Sequence, residues 1–136
     1  MAEDLVLRQG ESGDEERMAA ILAGAPEAAQ WKNEFSTLVA EAGGEVVGFA
    51  VYRIVAGEGE LLNLAVEAGW RRRGVATALL DRLMAEAGLW HLEVRESNEK
   101  AIAFYQRCGF EWVGERRGYY RDGETALLYS CFSRTE

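Results

Sequence analysis

The chain has 136 residues, of which 49% are apolar and 28% charged. That length and balance fit one globular domain with its own core, and no apolar run nears the roughly 20 residues a bilayer crossing needs. The net charge of −8 disfavours a nucleic-acid partner, because phosphate contacts want a basic face.

Residues 5–8 read as a short first strand. Ser12-Gly13-Asp14-Glu15 is a plausible cap for a helix carrying Met18, Ile21 and Leu22 on one face. Pro26 interrupts, and a second short helix is expected from about 27 to 35. Residues 37–40 and 46–52 flank Gly43-Gly44, a hairpin signal. A further turn at Gly57-Glu58-Gly59 leads to a strand over 60–66.

Next comes Arg71-Arg72-Arg73-Gly74-Val75-Ala76, which follows that strand and opens a helix. Val75, Ala76, Leu79, Leu80, Leu83, Met84 and Ala87 form one apolar stripe, and Gly88 suits the C-terminal cap. A helix start leaves backbone N–H groups unpaired and carries the positive end of the helix dipole. Gly74 allows close backbone approach, and small Ala76 keeps the first turn uncrowded. With three arginines beside it, the turn reads as a socket for a phosphorylated ligand.

Over 89–95, Leu92 and Val94 face one way and His91, Glu93 and Arg95 the other. Residues 98–106 read as a helix with Ala101, Ile102 and Tyr105 on one side. Residues 110–113 and 125–132 read as two closing strands, joined by a loop through Arg121-Asp122-Gly123. The expected architecture is a single α/β domain, residues 1–136. Its mixed central sheet is antiparallel in the N-terminal part, parallel in the middle, and flanked by about four helices.

The acidic excess is uneven. Residues 1–45 carry ten acidic and three basic side chains, and residues 46–136 thirteen and twelve. A basic partner near the first third is therefore favoured, although Asp14-Glu15-Glu16 also reads simply as a favourable helix N-terminus. Met1-Ala2-Glu3-Asp4 lacks the basic-then-apolar pattern of a signal peptide, so a cytoplasmic protein is expected. Cys108 and Cys131 form no metal-type pair and read as structural residues. With His91 the one histidine, a zinc site of the usual kind is disfavoured. A Ser-His-Asp triad has no Gly-x-Ser-x-Gly elbow to support it.

Two motifs together resemble the GNAT superfamily of N-acetyltransferases. They are Arg71-x-x-Gly74-x-Ala76 after a strand, and Asn98…Ala103-Phe104-Tyr105-x-x-x-Gly109-Phe110. The likeness covers roughly residues 45–133. A finer resemblance is to the RimI subgroup, which acetylates the N-terminal alanine of a small-subunit ribosomal protein. It rests on Leu62-Asn63-Leu64-Ala65-Val66, Trp90-x-Leu92-Glu93-Val94-Arg95-x-Ser97-Asn98, Ala101-Ile102-Ala103-x-Tyr105 and Arg116-Arg117-Gly118-Tyr119-Tyr120. The N-terminal third departs from it: the family's compact Pro-Trp helix start is replaced by Pro26 and Trp31, which lie apart.

The resemblance implies acetyl-CoA as cosubstrate and no metal. Its pyrophosphate would sit on Arg71, Arg72, Arg73, Gly74, Val75, Ala76 and Thr77. Its pantetheine arm would lie along Leu64, Ala65 and Val66 like an added strand, with a backbone N–H of Ala65 or Val66 polarising the acetyl carbonyl. Asn98 would bond the pantetheine, cap the following helix, or both.

Glu93 matches the family's base. A terminal amine with a pKa of about 8 must lose a proton before it attacks, and partial burial or an apolar wall would suit the carboxylate to that task. By position alone, Glu93 is an ordinary charged residue on a half-exposed strand. Tyr105 is the implied acid toward the departing thiolate; otherwise it is a packed helix aromatic. Tyr119 and Tyr120 could line a peptide groove or pack a strand edge. The implied acceptor is a ribosomal-protein N-terminus. The alternatives are a small-molecule amine or a lysine, or a non-catalytic acyl-CoA-binding module on the same fold.

Overall fold

The computed structural model describes residues 5–22 and 35–133. They belong to two compact units, Met1–Arg53 with Leu61–Met84, and Ile54–Glu60 with Ala85–Glu136.

The first unit holds strands β1 (Leu5–Gln9), β2 (Ser36–Ala42) and the larger parts of β3 (Glu45–Val55) and β4 (Glu58–Val66), in the order β1-β2-β3-β4. It also holds helices α1 (Glu15–Leu22) and α2 (Val75–Met84). β1 with β2, and β2 with β3, are antiparallel. The β2–β3 hairpin turns at Gly43 and Gly44, both at positive φ as a two-residue turn matching strand twist requires.

Residues 46–52 are buried throughout, so β3 is covered on both faces. Val46, Phe49 and Val51 form a core with Val39 of β2 and Met18 and Ile21 of α1. The β2–β3 register slips so that Ala40 faces Gly48 while Glu41 faces Val46, which leaves Val47 unmatched. This bulge is why Val46 and Phe49, three apart, reach the same core. On the opposite face, a Cβ on Gly48 would lie 2.9 Å from Val75 Cγ1 and 3.1 Å from the Ala65 carbonyl oxygen. Gly48 thus lets α2 seat closely on β3. The α2 stripe of Val75, Leu79, Leu80 and Leu83 is buried, worth about 2 kcal/mol per side chain relative to exposure.

The second unit holds β5 (Leu89–Arg95), β6 (Glu111–Arg116) and β7 (Ala126–Phe132) in the order β5-β7-β6, both pairs antiparallel, with helix α3 (Glu99–Arg107). Trp90, Leu92 and Val94 form the buried side of β5. The start of β4 runs beside β5. Gly88 N–H donates to the Gly57 carbonyl at 3.2 Å, and Gly59 lies against the Trp90 ring. Residue numbers rise together along these strands, which makes them a parallel pair in a mixed α/β fold.

Several expected boundaries move. The turn after β3 is Ala56-Gly57, both at positive φ, rather than Gly57-Glu58-Gly59. Gly59 belongs to β4 because a Cβ there would come within 2.5 Å of the Trp90 ring; its glycine is set by packing, not by a turn. α2 ends at Met84, so Gly88 is not its cap. The Gly88 N–H and carbonyl are used instead to bond Gly57 and Ser133. β6 continues to Arg116. Three α-helices stand among the described residues. The helix expected from about 27 to 35 lies, Phe35 apart, outside them.

Candidate active site

The first unit carries the phosphate-type turn. After β4, Glu67 N–H donates to the Val47 carbonyl at 2.8 Å, and a 3-10 turn over Ala68–Trp70 follows. The Glu67 carboxylate accepts from Gly69 N–H at 3.1 Å. Arg71 Nε donates to the Val66 carbonyl at 3.3 Å, and the Arg73 guanidinium stacks 4.9 Å from the Trp70 ring centroid. The chain then passes through left-handed backbone twice, at Arg72 (φ 63) and Gly74 (φ 84).

The Gly74 carbonyl accepts from Ala78 N–H at 2.9 Å, which starts α2. Among the described residues the N–H groups of Val75, Ala76 and Thr77 have no backbone acceptor, as a helix start dictates. A Cβ on Gly74 would meet nothing within 4 Å. Its glycine is therefore required by its backbone angle, not by crowding in the protein itself. Arg72 takes the same region without that freedom, a strain of roughly 1–3 kcal/mol of the kind found at ligand-binding turns. Leu64, Ala65 and Val66, on the last residues of β4, are all half-buried. Turn and strand end together offer an anion cradle of N–H groups flanked by arginines.

The second unit carries the expected acid–base pair. Glu93 lies on the side of β5 opposite Leu92 and Val94. Its partner is Arg116 of β6, Nε to Oε2 3.2 Å. Its carboxylate thus sits in a partly exposed ion pair. Tyr105 of α3 packs edge-on to Phe104 and Phe110, with ring centroids 5.4 and 5.7 Å away. Burial pushes its phenol pKa up, and the hydroxyl is protonated at neutral pH, as an ordinary phenol with a pKa of about 10 also is. Gly109 (φ 100) ends α3 in the left-handed region, and Phe110 N–H returns to the Tyr105 carbonyl at 3.0 Å. The Gly109-Phe110 pair of the motif is thus a helix stop that presses Phe110 on Tyr105. Asn98 caps α3: its Oδ1 accepts from Ala101 N–H at 3.3 Å.

His91 joins a surface cluster, with Nδ1 2.7 Å from Ser130 Oγ and Nε2 3.0 Å from Glu58 Oε1. Asp14 is tied to Arg8 by two 2.9 Å bonds, and Arg8 also pairs with Glu41. The Arg8 guanidinium holds the Asp14 carboxyl below the usual carboxylate range. No group of three His, Cys, Asp or Glu among the described residues could hold a metal ion. No described helix is long and apolar enough to cross a membrane.

Sequence reasoning missed the Glu93–Arg116 pair, the left-handed Arg72 and the packing role of Gly48. Only the strand order exposes the first. β6 precedes β7 in the chain but lies outside it, so Arg116 reaches Glu93 across β7.

Residues 5–110 match the acetyltransferase (GNAT) family. The chain is 42% identical over 83 residues to ribosomal protein bS18 alanine N-acetyltransferase of Escherichia coli, covering 57% of this chain and 55% of that protein. The chain thus spans just over half that relative's length. It is 39% identical over 116 residues to an N-alpha-acetyltransferase of Sulfurisphaera tokodaii, covering 72% of this chain and 70% of that one. It is also similar to the crystal structure of the ribosomal-protein-S18-alanine N-acetyltransferase from Escherichia coli, with a TM-score of 0.82 and 28% identity over 97% of this chain and 96% of the other. The chain belongs to the GNAT acetyltransferase family.

Proposed function

We propose that residues 1–136 form one N-acetyltransferase domain. It acts in the cytoplasm on the N-terminal alanine amine of a small-subunit ribosomal protein, with acetyl-CoA as cosubstrate. The observation that carries this reading is the turn into α2: two left-handed residues, then three N–H groups with no backbone acceptor among the described residues, with arginines beside them. Such a cradle fits a pyrophosphate. The names of the relatives support the acceptor.

Acetyl-CoA supplies a thioester carbonyl activated toward amines. In the chain, Arg71–Thr77 hold the pyrophosphate, and the backbone of residues 64–66 pairs with the pantetheine amides. An N–H of Ala65 or Val66 donates to the carbonyl oxygen as negative charge grows there. Glu93 takes the proton that the amine loses as its nitrogen bonds to the acyl carbon. Tyr105 gives its proton to the sulfur as the C–S bond breaks. The acidic balance of residues 1–45, seven more acidic than basic side chains, favours approach of a cationic N-terminal segment.

The test is an acetylation assay on an Ala-Arg-rich N-terminal peptide beside lysine and polyamine controls. Turnover of the peptide well above both is expected. Equal or better turnover of a control reassigns the acceptor, and no thiol release with any amine sinks the enzyme reading.

A further inference from the structure

Arg95 lies two residues beyond Glu93 on the same side of β5, and its guanidinium is the anchor of the loop between β6 and β7. Its Cζ sits 4.0 Å from the Tyr120 ring centroid. Its Nη1 donates to Asp122 Oδ2 and to Glu124 Oε1, both at 2.9 Å. Those carboxylates are themselves fixed. Glu124 Oε2 accepts from Ser97 N–H at 2.7 Å, and Asp122 Oδ1 accepts from Glu124 N–H at 3.0 Å.

Backbone bonds complete the closure. Tyr120 N–H donates to the Glu124 carbonyl, Gly123 N–H to the Tyr120 carbonyl, and Glu96 N–H to the Thr125 carbonyl. An isolated surface pair contributes little. Here one planar cation meets two carboxylates through Nη1 and the Tyr120 ring through its flat face, and a lysine ammonium has no such face. The Arg95 and Glu124 side chains are each 18% exposed, which sets this network apart from a solvated pair.

What the loop presents is Tyr119. The residue is 51% exposed, and its ring stands edge-on to Tyr120 at 5.2 Å. Arg116, the partner of Glu93, lies 5.6 Å from the Tyr119 ring centroid. The end of β5 and the segment over residues 116–124 therefore bring together the candidate base, its ion-pair partner, an exposed aromatic and the clip that holds them.

We propose that Arg95 is a positioning residue that clips the loop over residues 117–125 to the end of β5 and so presents Tyr119 as a pre-set aromatic contact for the acceptor substrate. This rests on the N-acetyltransferase reading above. A loop already ordered does not have to be ordered on binding, so the clip acts on acceptor affinity. Arg95 itself touches no reacting atom.

The test compares the full chain with Arg95→Met, Arg95→Lys and Glu124→Gln. It uses hydrogen exchange of residues 117–125 and the separate KM values of acetyl-CoA and of whichever amine the wild type acetylates. Arg95→Met is expected to speed loop exchange and raise acceptor KM about 10-fold, with acetyl-CoA KM unmoved and the effect on KM rather than kcat. Arg95→Lys keeps the charge but loses the flat face on Tyr120, and recovers only part of the wild-type values. Glu124→Gln leaves β5 untouched and loosens the loop in the same direction. Loop exchange unchanged in Arg95→Met overturns the clip whatever the activity. A loosened loop with acceptor KM unmoved overturns its link to substrate. A wild type that acetylates no amine overturns the acceptor role together with the proposed function, while loop exchange still decides the clip.

Discussion

Arg116 Nε lies 3.2 Å from Glu93 Oε2, so the candidate base is held by an arginine from two strands away, across β7. Such a pair aims the carboxylate, and being largely exposed it contributes little to stability. Glu93→Gln is expected to lower kcat by about 100-fold or more while the melting temperature stays within a few degrees. Arg116→Met, which frees the carboxylate without removing it, is expected to cost less than Glu93→Gln in the same steady-state assay. A Glu93→Gln enzyme of wild-type kcat would remove Glu93 from the mechanism.

Tyr105→Phe keeps the ring that packs on Phe104 and Phe110 and deletes only the hydroxyl. Loss of a general acid should cost kcat on the order of 100-fold, with acetyl-CoA KM near wild type and thermal stability unchanged. A leaving thiol that needs less help from an acid should shrink the gap between variant and wild type. A uniform loss across thioesters would instead indicate a packing role.

Gly74→Ala separates backbone angle from crowding. The added methyl meets nothing in the protein within 4 Å, but φ is 84° there. The expected stability loss is about 1 kcal/mol, read as a small drop in melting temperature, with a larger rise in acetyl-CoA KM. An unchanged KM would argue against a phosphate at this turn.

Gly59→Ala places a methyl 2.5 Å from the Trp90 ring, in the core beside the parallel β4–β5 pair. Overpacking of this kind costs roughly 1–3 kcal/mol. Denaturant unfolding should show it as a lower midpoint, and Trp fluorescence should report a displaced Trp90. A variant as stable as wild type would contradict the close packing of Gly59 on Trp90.

The Arg8–Asp14 pair sets a pH dependence. The folded-state pKa of Asp14 lies below its unfolded value because Arg8 bonds the charged form. Its contribution is therefore fully present above the unfolded carboxylate pKa of about 3.9, and is lost as pH falls through the lowered folded value. Asp14→Asn is expected to cost about 2 kcal/mol at neutral pH, less than a fully buried pair would, because Glu41 still compensates Arg8. Unfolding curves at neutral and acidic pH should show the variant converging on wild type in acid.

The readability of the sequence followed the range of the forces involved. The α2 stripe, the Gly43-Gly44 hairpin and the alternation along β5 are local periodicities, and each stands close to where the pattern put it. The Gly57–Gly59 segment was misread because two of its glycines answer to different needs. Gly57 serves a left-handed turn, and Gly59 serves the face of a tryptophan 31 residues away. Gly88 likewise looked like a helix cap and is used to bond two strand ends.

The sequence by itself determined the family and the glycine turn between β4 and α2, because a strand, a short polar run with glycine and an apolar helix are contiguous and their backbone demands are local. It also determined which side of β5 Glu93 and Arg95 occupy, since that depends only on the period of a strand. The tertiary structure alone decided what those side chains meet. The order β5-β7-β6 brings Arg116 to Glu93, and the closure of the β6–β7 loop brings Tyr120, Asp122 and Glu124 around Arg95. Partners more than twenty residues apart are chosen by strand order and loop path, and no local spacing encodes either.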